Sequence, residues 1–128
     1  MWPYDHDSEP PAPFLEVVVH HPERSNITRS IRAKLDTGAD VSAIPASLVE
    51  ELDLLPESQL VVEGYDLHLV TLPTYYVALV VIQVPLQRLE VITFPEKYIL
   101  LGRDVLNQFY ARLYGPDLMF DLSHTLPE

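Results

Sequence analysis

The 128-residue chain contains no cysteine. That removes any disulfide framework and any thiolate nucleophile, and it suits a reducing compartment. Cations are scarce. Eight Lys and Arg stand against nineteen Asp and Glu, a net charge of −11, and the eight are scattered singly. Phosphate backbones are held by clustered cations, so no nucleic-acid partner is expected. Long apolar runs are missing too: the longest, YYVALVVIQV at 75–84, is about half of the roughly 20 residues that a membrane-spanning helix needs. The N-terminal MWPYDHDSEPPAP has neither the basic start nor the apolar stretch of a secretory leader. The expectation is a soluble, cytoplasmic protein with no membrane contact. What is present, 48% hydrophobic and 21% charged residues, is the balance of one globular domain with a core of its own.

Residues 1–13, rich in proline and acids and without periodicity, are expected as a flexible N-terminal tail, and 14–128 as the domain. FLEVVV (14–19) reads as a strand and HHPERSN (20–26) as a turn. The next stretch alternates, with Ile27, Ile31, Ala33 and Leu35 on one face and Thr28, Ser30, Arg32 and Lys34 on the other. Arg29 breaks the apolar side, and Asp36 continues the polar one. PASLVEELDLL reads as a short helix, with Pro45 at its start and Ser47 and Glu50 at capping-box spacing. Residues 59–84 suggest a long β-hairpin bent near Gly64, in which Pro73 implies an edge or a break. PLQR is expected to turn, LEVITF to be a strand, and YILLGRDVLNQF to run from strand through glycine into a helical turn. ARLYGPDLMFDL reads as two short strands about a Gly-Pro-Asp turn. The sum is an all-β barrel with one or two short helices.

Two stretches invite chemistry. His20 and His21 are adjacent, so in a strand they face opposite ways, and with no further ligand cluster no metal is expected. In AKLDTGADVSAIP (33–45) an apolar strand delivers Asp36 to a turn of small residues. Alone, Asp36-Thr37-Gly38 is equally a strand-to-turn closed by an Asx bond. Its pairing with LLGRD some sixty residues later is more specific. Together, LDTGADVSAIP and YILLGRDVLNQF resemble the single-domain, retroviral-type (retropepsin-like) aspartic proteases, over about Phe14 to Leu122.

The resemblance implies a retropepsin-like barrel assembled as a two-fold homodimer. Such a chain carries one Asp-Thr-Gly and takes its second carboxylate from its partner. It implies peptide hydrolysis by two Asp36 side chains sharing one proton, with no cofactor, best below neutral pH. An extended peptide or unfolded protein is the implied substrate. Asp36 resembles the catalytic acid, Thr37 the residue bonding across to the partner, Gly38 the close-approach glycine and Ala39 the residue lining the channel. Asp40 and Arg103 resemble a buried ion pair bracing the turn, and Gly102 the glycine packed on it. The flap of the family is glycine-rich. Here Glu63, Gly64, Tyr65 and Asp66 occupy that segment, with Gly64 its one glycine, so gating and substrate preference do not carry over. The alternative is therefore a catalytically silent, dimeric peptide-binding or scaffold module on the same fold. ARLYGPDLMFDL is expected at a dimer seam.

Overall fold

A computed structural model of the chain describes residues 1–64 and 66–127. The alternation after residue 27 becomes β3 (Thr28–Leu35), in which Ile31, Ala33 and Leu35 are buried. It pairs antiparallel with β2 (Phe14–His20), from Phe14 opposite Lys34 to His20 opposite Thr28. On its other side β3 runs parallel to β8 (Ile99–Leu101), with Lys34 level with Leu100. From β8 the sheet continues through β4 (Ala43–Pro45), β7 (Val84–Phe94) and β6 (Leu69–Val81). Val18 of β2 then pairs with Val80 of β6 and closes a six-stranded ring. β5 (Ser58–Glu63) lies outside the ring, paired with the first half of β6. Inside the ring Val19, Ala33, Ile44, Val77, Val81, Ile99 and Leu101 are fully buried, each large aliphatic among them contributing about 1.5–3 kcal/mol. Among the described residues no helix is long and apolar enough to cross a membrane.

Two local expectations change. The helix α1 (Ser47–Glu51) has Ala46 at its N-cap with no side-chain cap bond. β4 extends to Pro45, so Ser47 already lies inside the helix and the capping box does not form. The bend near Gly64 joins β5 to β6 as expected. The turn expected at PLQR falls earlier, at Ile82 and Gln83, both left-handed with φ of 44° and 69°, and PLQR is part of β7. Paired positive φ values fit the tight twist between β6 and β7, but Asn and Gly are the usual occupants. Pro73 does not break β6; it pairs with Gln59 before the pairing of β6 with β7 begins at Tyr75, so it stands at an edge, one of the two expected places.

The expected flexible tail is instead folded against the domain. β9 (Tyr110–Tyr114), a 3-10 turn (Gly115–Asp117) and β10 (Met119–Ser123) form the anticipated C-terminal hairpin, and β1 (Trp2–Pro3) adds to the free side of β10. Trp2 stacks on the fully buried Phe120 at 5.5 Å between ring centroids, with Tyr4 against the same ring at 6.1 Å. Proline content suggested disorder, yet two aromatics with a buried ring to cover outweigh it.

Candidate functional site

Asp36 is the first residue beyond β3. Its N–H donates to the Leu101 carbonyl at 2.9 Å, so the parallel pairing with β8 fixes where the strand ends. The chain then turns: Ala39 N–H donates to the Asp36 carbonyl at 3.2 Å, and Gly38 N–H donates to Asp36 Oδ1 at 2.9 Å. The carboxylate is half-buried, while Thr37 and Gly38 are exposed. Thr37 engages its own chain through its carbonyl, which accepts from Arg103 Nη1 at 2.6 Å.

The floor of this turn is the junction of β8 with α2 (Arg103–Leu106). Gly102 lies so close that an added Cβ would stand 2.9 Å from the Ala39 oxygen and from both Val41 carbonyl atoms. Its backbone is extended, with φ −85°, so closeness and not torsion requires glycine here. Arg103 N–H donates to the Ala39 carbonyl at 2.8 Å. The Asp40–Arg103 ion pair forms, but it is not buried as expected: the two side chains are 82% and 44% exposed. The buried brace is a different one. Ser42, fully buried, donates its hydroxyl to Asp104 Oδ1 at 2.7 Å and accepts from Gly102 N–H at 3.0 Å. Asp104 Oδ2 accepts from Ser42 N–H at 2.9 Å. Sequence reasoning missed Ser42 and gave Asp104 no role, since a hydroxyl and a carboxylate 62 positions apart leave no local pattern.

Over the turn stands the hairpin of β5 and β6. Between them lies a cavity of about 690 Å³, bordered by Gly38, Ala39 and Asp40 below, Leu60 to Glu63 and Leu69 above, and Ile92, Phe94 and Leu100 behind. The hairpin tip is tied locally. Gly64 N–H donates to the His68 carbonyl at 3.1 Å, Leu67 N–H to the Gly64 carbonyl at 3.0 Å, and Asp66 Oδ2 lies 3.0 Å from His68 Nδ1. Glu63 closes β5, and Tyr65 lies outside the described residues. Val61, Leu67, Leu69 and Val70 leave the hairpin with exposed apolar surface.

The outer side of the turn is aromatic. Tyr98 meets Phe14 edge-on at 5.0 Å and Phe94 at 5.6 Å, and the Arg32 guanidinium covers the Phe14 ring at 4.4 Å. Burial pushes the Tyr98 phenol above its ordinary pKa, and the charges of Glu96 and Asp36 add to the shift. Tyr98 therefore lies within electrostatic reach of Asp36.

The closed barrel carries Asp36 on a small-residue turn, with a glycine-helix floor and an overhanging hairpin, and solved structures share its fold. The chain is similar to a retropepsin-like aspartic protease from Rickettsia conorii, at 16% identity with a TM-score of 0.63, over 95% of this chain and 88% of that one. The fold is retropepsin-like. Two viral proteases share the retropepsin-like fold over a smaller part of the chain. The simian foamy virus (mac) protease is 21% identical with a TM-score of 0.56, over 74% of this chain and 92% of that one. The EIAV protease, solved with the inhibitor HBY-793, is 18% identical with a TM-score of 0.55, over 75% and 86%. No protein-family model and no curated protein sequence matches the chain.

Proposed function

We propose that the protein is an aspartic endopeptidase in which the Asp36 carboxylates of two identical chains act as one site. The observation that carries this is that Asp36 opens the turn whose Gly38, Ala39 and Asp40 border the groove, a turn braced from below by Gly102 and Arg103. The ionised carboxylate takes a proton from a water molecule whose oxygen attacks the peptide carbonyl. The protonated one gives its proton to the carbonyl oxygen. Collapse of the resulting diol expels the amine, which leaves with a proton. The peptide lies as an extended strand between turn and hairpin, its main chain hydrogen-bonded and its alternate side chains in the groove.

The two-fold assembly is supported by two exposed features. Thr37 and Gly38 present a nearly bare turn. β9 is an edge strand whose Tyr110 and Leu113 are 45% and 58% exposed, an open edge of the kind that pairs with another chain. A two-fold axis relating two such turns brings the second carboxylate.

One observation favours the silent peptide-binding module: the hairpin tip, with Gly64 as its one glycine and the Asp66–His68 contact holding it, is less free to open than a glycine-rich tip. Turnover separates the two. An unfolded protein substrate is incubated across pH 3 to 8 with wild type and Asp36→Asn, both verified as folded dimers. Cleavage by wild type alone, strongest at about pH 4–6 where a carboxylate pair holds one proton, is the expected result. Cleavage by both variants, or by neither, overturns the endopeptidase.

A further inference from the structure

Of the eight Lys and Arg, six are in ion pairs: Arg24 with Asp53, Arg29 with Glu51, Arg32 with Asp5, Arg88 with Glu57, Arg103 with Asp40 and Arg112 with Asp121. Among the described residues, Lys34 and Lys97 have no such partner. In a chain of net charge −11, with acids to spare, an unpaired cation is unexpected. Lys97 lies in an exposed loop. Lys34 is half-buried, in the middle of the sheet and two residues before Asp36.

Its direction follows from the register. Side chains alternate along a strand, so Lys34 shares the face of Asp36, with about 7 Å of strand between them. Residues paired across strands also share a face. Lys34 is opposite Phe14 on β2 and level with Leu100 on β8, and Leu100 borders the groove. The row Phe14, Lys34, Leu100 therefore runs on the face of Asp36 from the cleft that Phe14, Arg32 and Tyr98 share with Asp5 and Asp7 to the edge of the groove at Leu100. A lysine flanked by apolar residues lays its stem along them and keeps its ammonium at the wet opening. None of the charged neighbours on its own face is in an ion pair with Lys34. Arg32 is paired with Asp5, Glu16 stands opposite Arg32 in the ladder, and Asp36 is held by the Gly38 N–H.

We infer that Lys34 is a specificity-determining residue that selects an acidic side chain, Asp or Glu, within two residues of the scissile bond. The reasoning rests on the endopeptidase reading for its chemistry but only on the groove for its binding. A substrate strand crossing the turn advances about 3.3 Å per residue, so a side chain one or two positions from the carbonyl over Asp36 comes level with Lys34. With a two-fold axis, one such cation stands on each side of the cut. An ammonium in a partly desolvated groove and a carboxylate from the peptide make a charge-assisted bond, stronger than a neutral one. The Phe14 end of the same row is aromatic, which suits the aliphatic part of a Glu.

The test uses octapeptides with Glu or Gln fixed in turn at each of the four central positions, in pools otherwise random. Cleavage is read with wild type, Lys34→Met and Lys34→Glu. Binding is read by calorimetry with Asp36→Asn, which holds peptide without turning it over. Wild type is expected to favour Glu over Gln about tenfold at one central position or more, the scale of one charge-assisted hydrogen bond. The ratio falls to near one in Lys34→Met and inverts in Lys34→Glu, where Lys-containing peptides take over. Lys34→Arg, which keeps the charge, retains most of the preference. Turnover with equal Glu and Gln rates, or with a ratio unchanged in Lys34→Met, overturns the role of Lys34 and leaves the endopeptidase standing. Glu-selective binding without turnover keeps Lys34 and removes the endopeptidase. Neither binding nor cleavage overturns both.

Discussion

Gly102→Ala probes a site where the backbone approaches closely on several sides. The substitution adds one methyl group at a site whose φ any residue adopts, so no torsional penalty enters. The methyl meets three backbone atoms at 2.9 Å, and backbone cannot rotate away as a side chain does. Overpacking a well-filled site costs typically about 1–3 kcal/mol, and the absence of any yielding neighbour puts this one at about 2–3. Unfolding entropy of about 2.1 cal/mol/K per residue gives roughly 0.27 kcal/mol/K for this chain, so Tm falls by about 7–11 °C. Gly38→Ala is the matched comparison. Its Cβ would meet one atom, Asp36 Oδ1 at 3.2 Å, which can swing aside, so stability changes by less than about 1 kcal/mol while cleavage falls sharply because the carboxylate has moved. Thermal melts and urea titrations are run on all three proteins at one fixed concentration, since self-association of the proposed kind would make Tm concentration-dependent. A Gly102→Ala melt within 2 °C of wild type would refute the claim that the floor is packed to backbone contact.

The remaining predictions follow from the braces and the terminal sheet. Ser42→Ala strands the buried Gly102 N–H and costs about 1–3 kcal/mol, whereas Asp40→Ala, which removes an exposed pair, costs less than about 1; urea midpoints that rank them the other way would return the brace to Asp40 and Arg103. The hydrogen bond from Arg112 holds the Asp121 carboxyl below its ordinary range, with burial opposing. A depressed folded pKa gives stability that is fully present above the unfolded value and is lost as pH falls through the folded one. The stability gap between wild type and Asp121→Asn should therefore close on acidification from pH 7 to pH 3, and a gap constant over that range would mean that the Arg112–Asp121 contact does not hold β9 to β10. Trp2→Ala removes a ring stacked on Phe120 and should cost about 1–2 kcal/mol. The sole tryptophan also reports its own docking, and emission at the fully hydrated wavelength in the native wild type would show β1 unpaired.

How much of this the sequence disclosed depends on the range of the interaction. β3 was legible because one buried face and one wet face force a two-residue period, and the same alternation pointed Asp36 away from the core. The glycine–helix floor was legible because its residues are contiguous. The N-terminal strand was not: its composition describes a chain alone, while its stability comes from Phe120, more than a hundred residues away. Ile82 and Gln83 form a left-handed turn without any turn residue, since the register of β6 on β7 leaves two residues to reverse the chain whatever they are. The Asp40–Arg103 pair was foreseen correctly as a contact and wrongly as a buried one, because spacing says which residues meet and not how much water remains around them.

The Ser42 hydroxyl, giving to the helix side and accepting from the strand side with one oxygen, has a consequence for time as well as for strength. The amides of Asp36, Gly102 and Arg103 donate to the Leu101 carbonyl, the Ser42 hydroxyl and the Ala39 carbonyl of one packed floor, so their hydrogens are expected to exchange with solvent only when that floor opens. The hairpin above has its own short ladder and an exposed tip, and its amides exchange through small local openings. Opening of the cavity is therefore expected to keep the time of the hairpin, over a base that moves far more slowly.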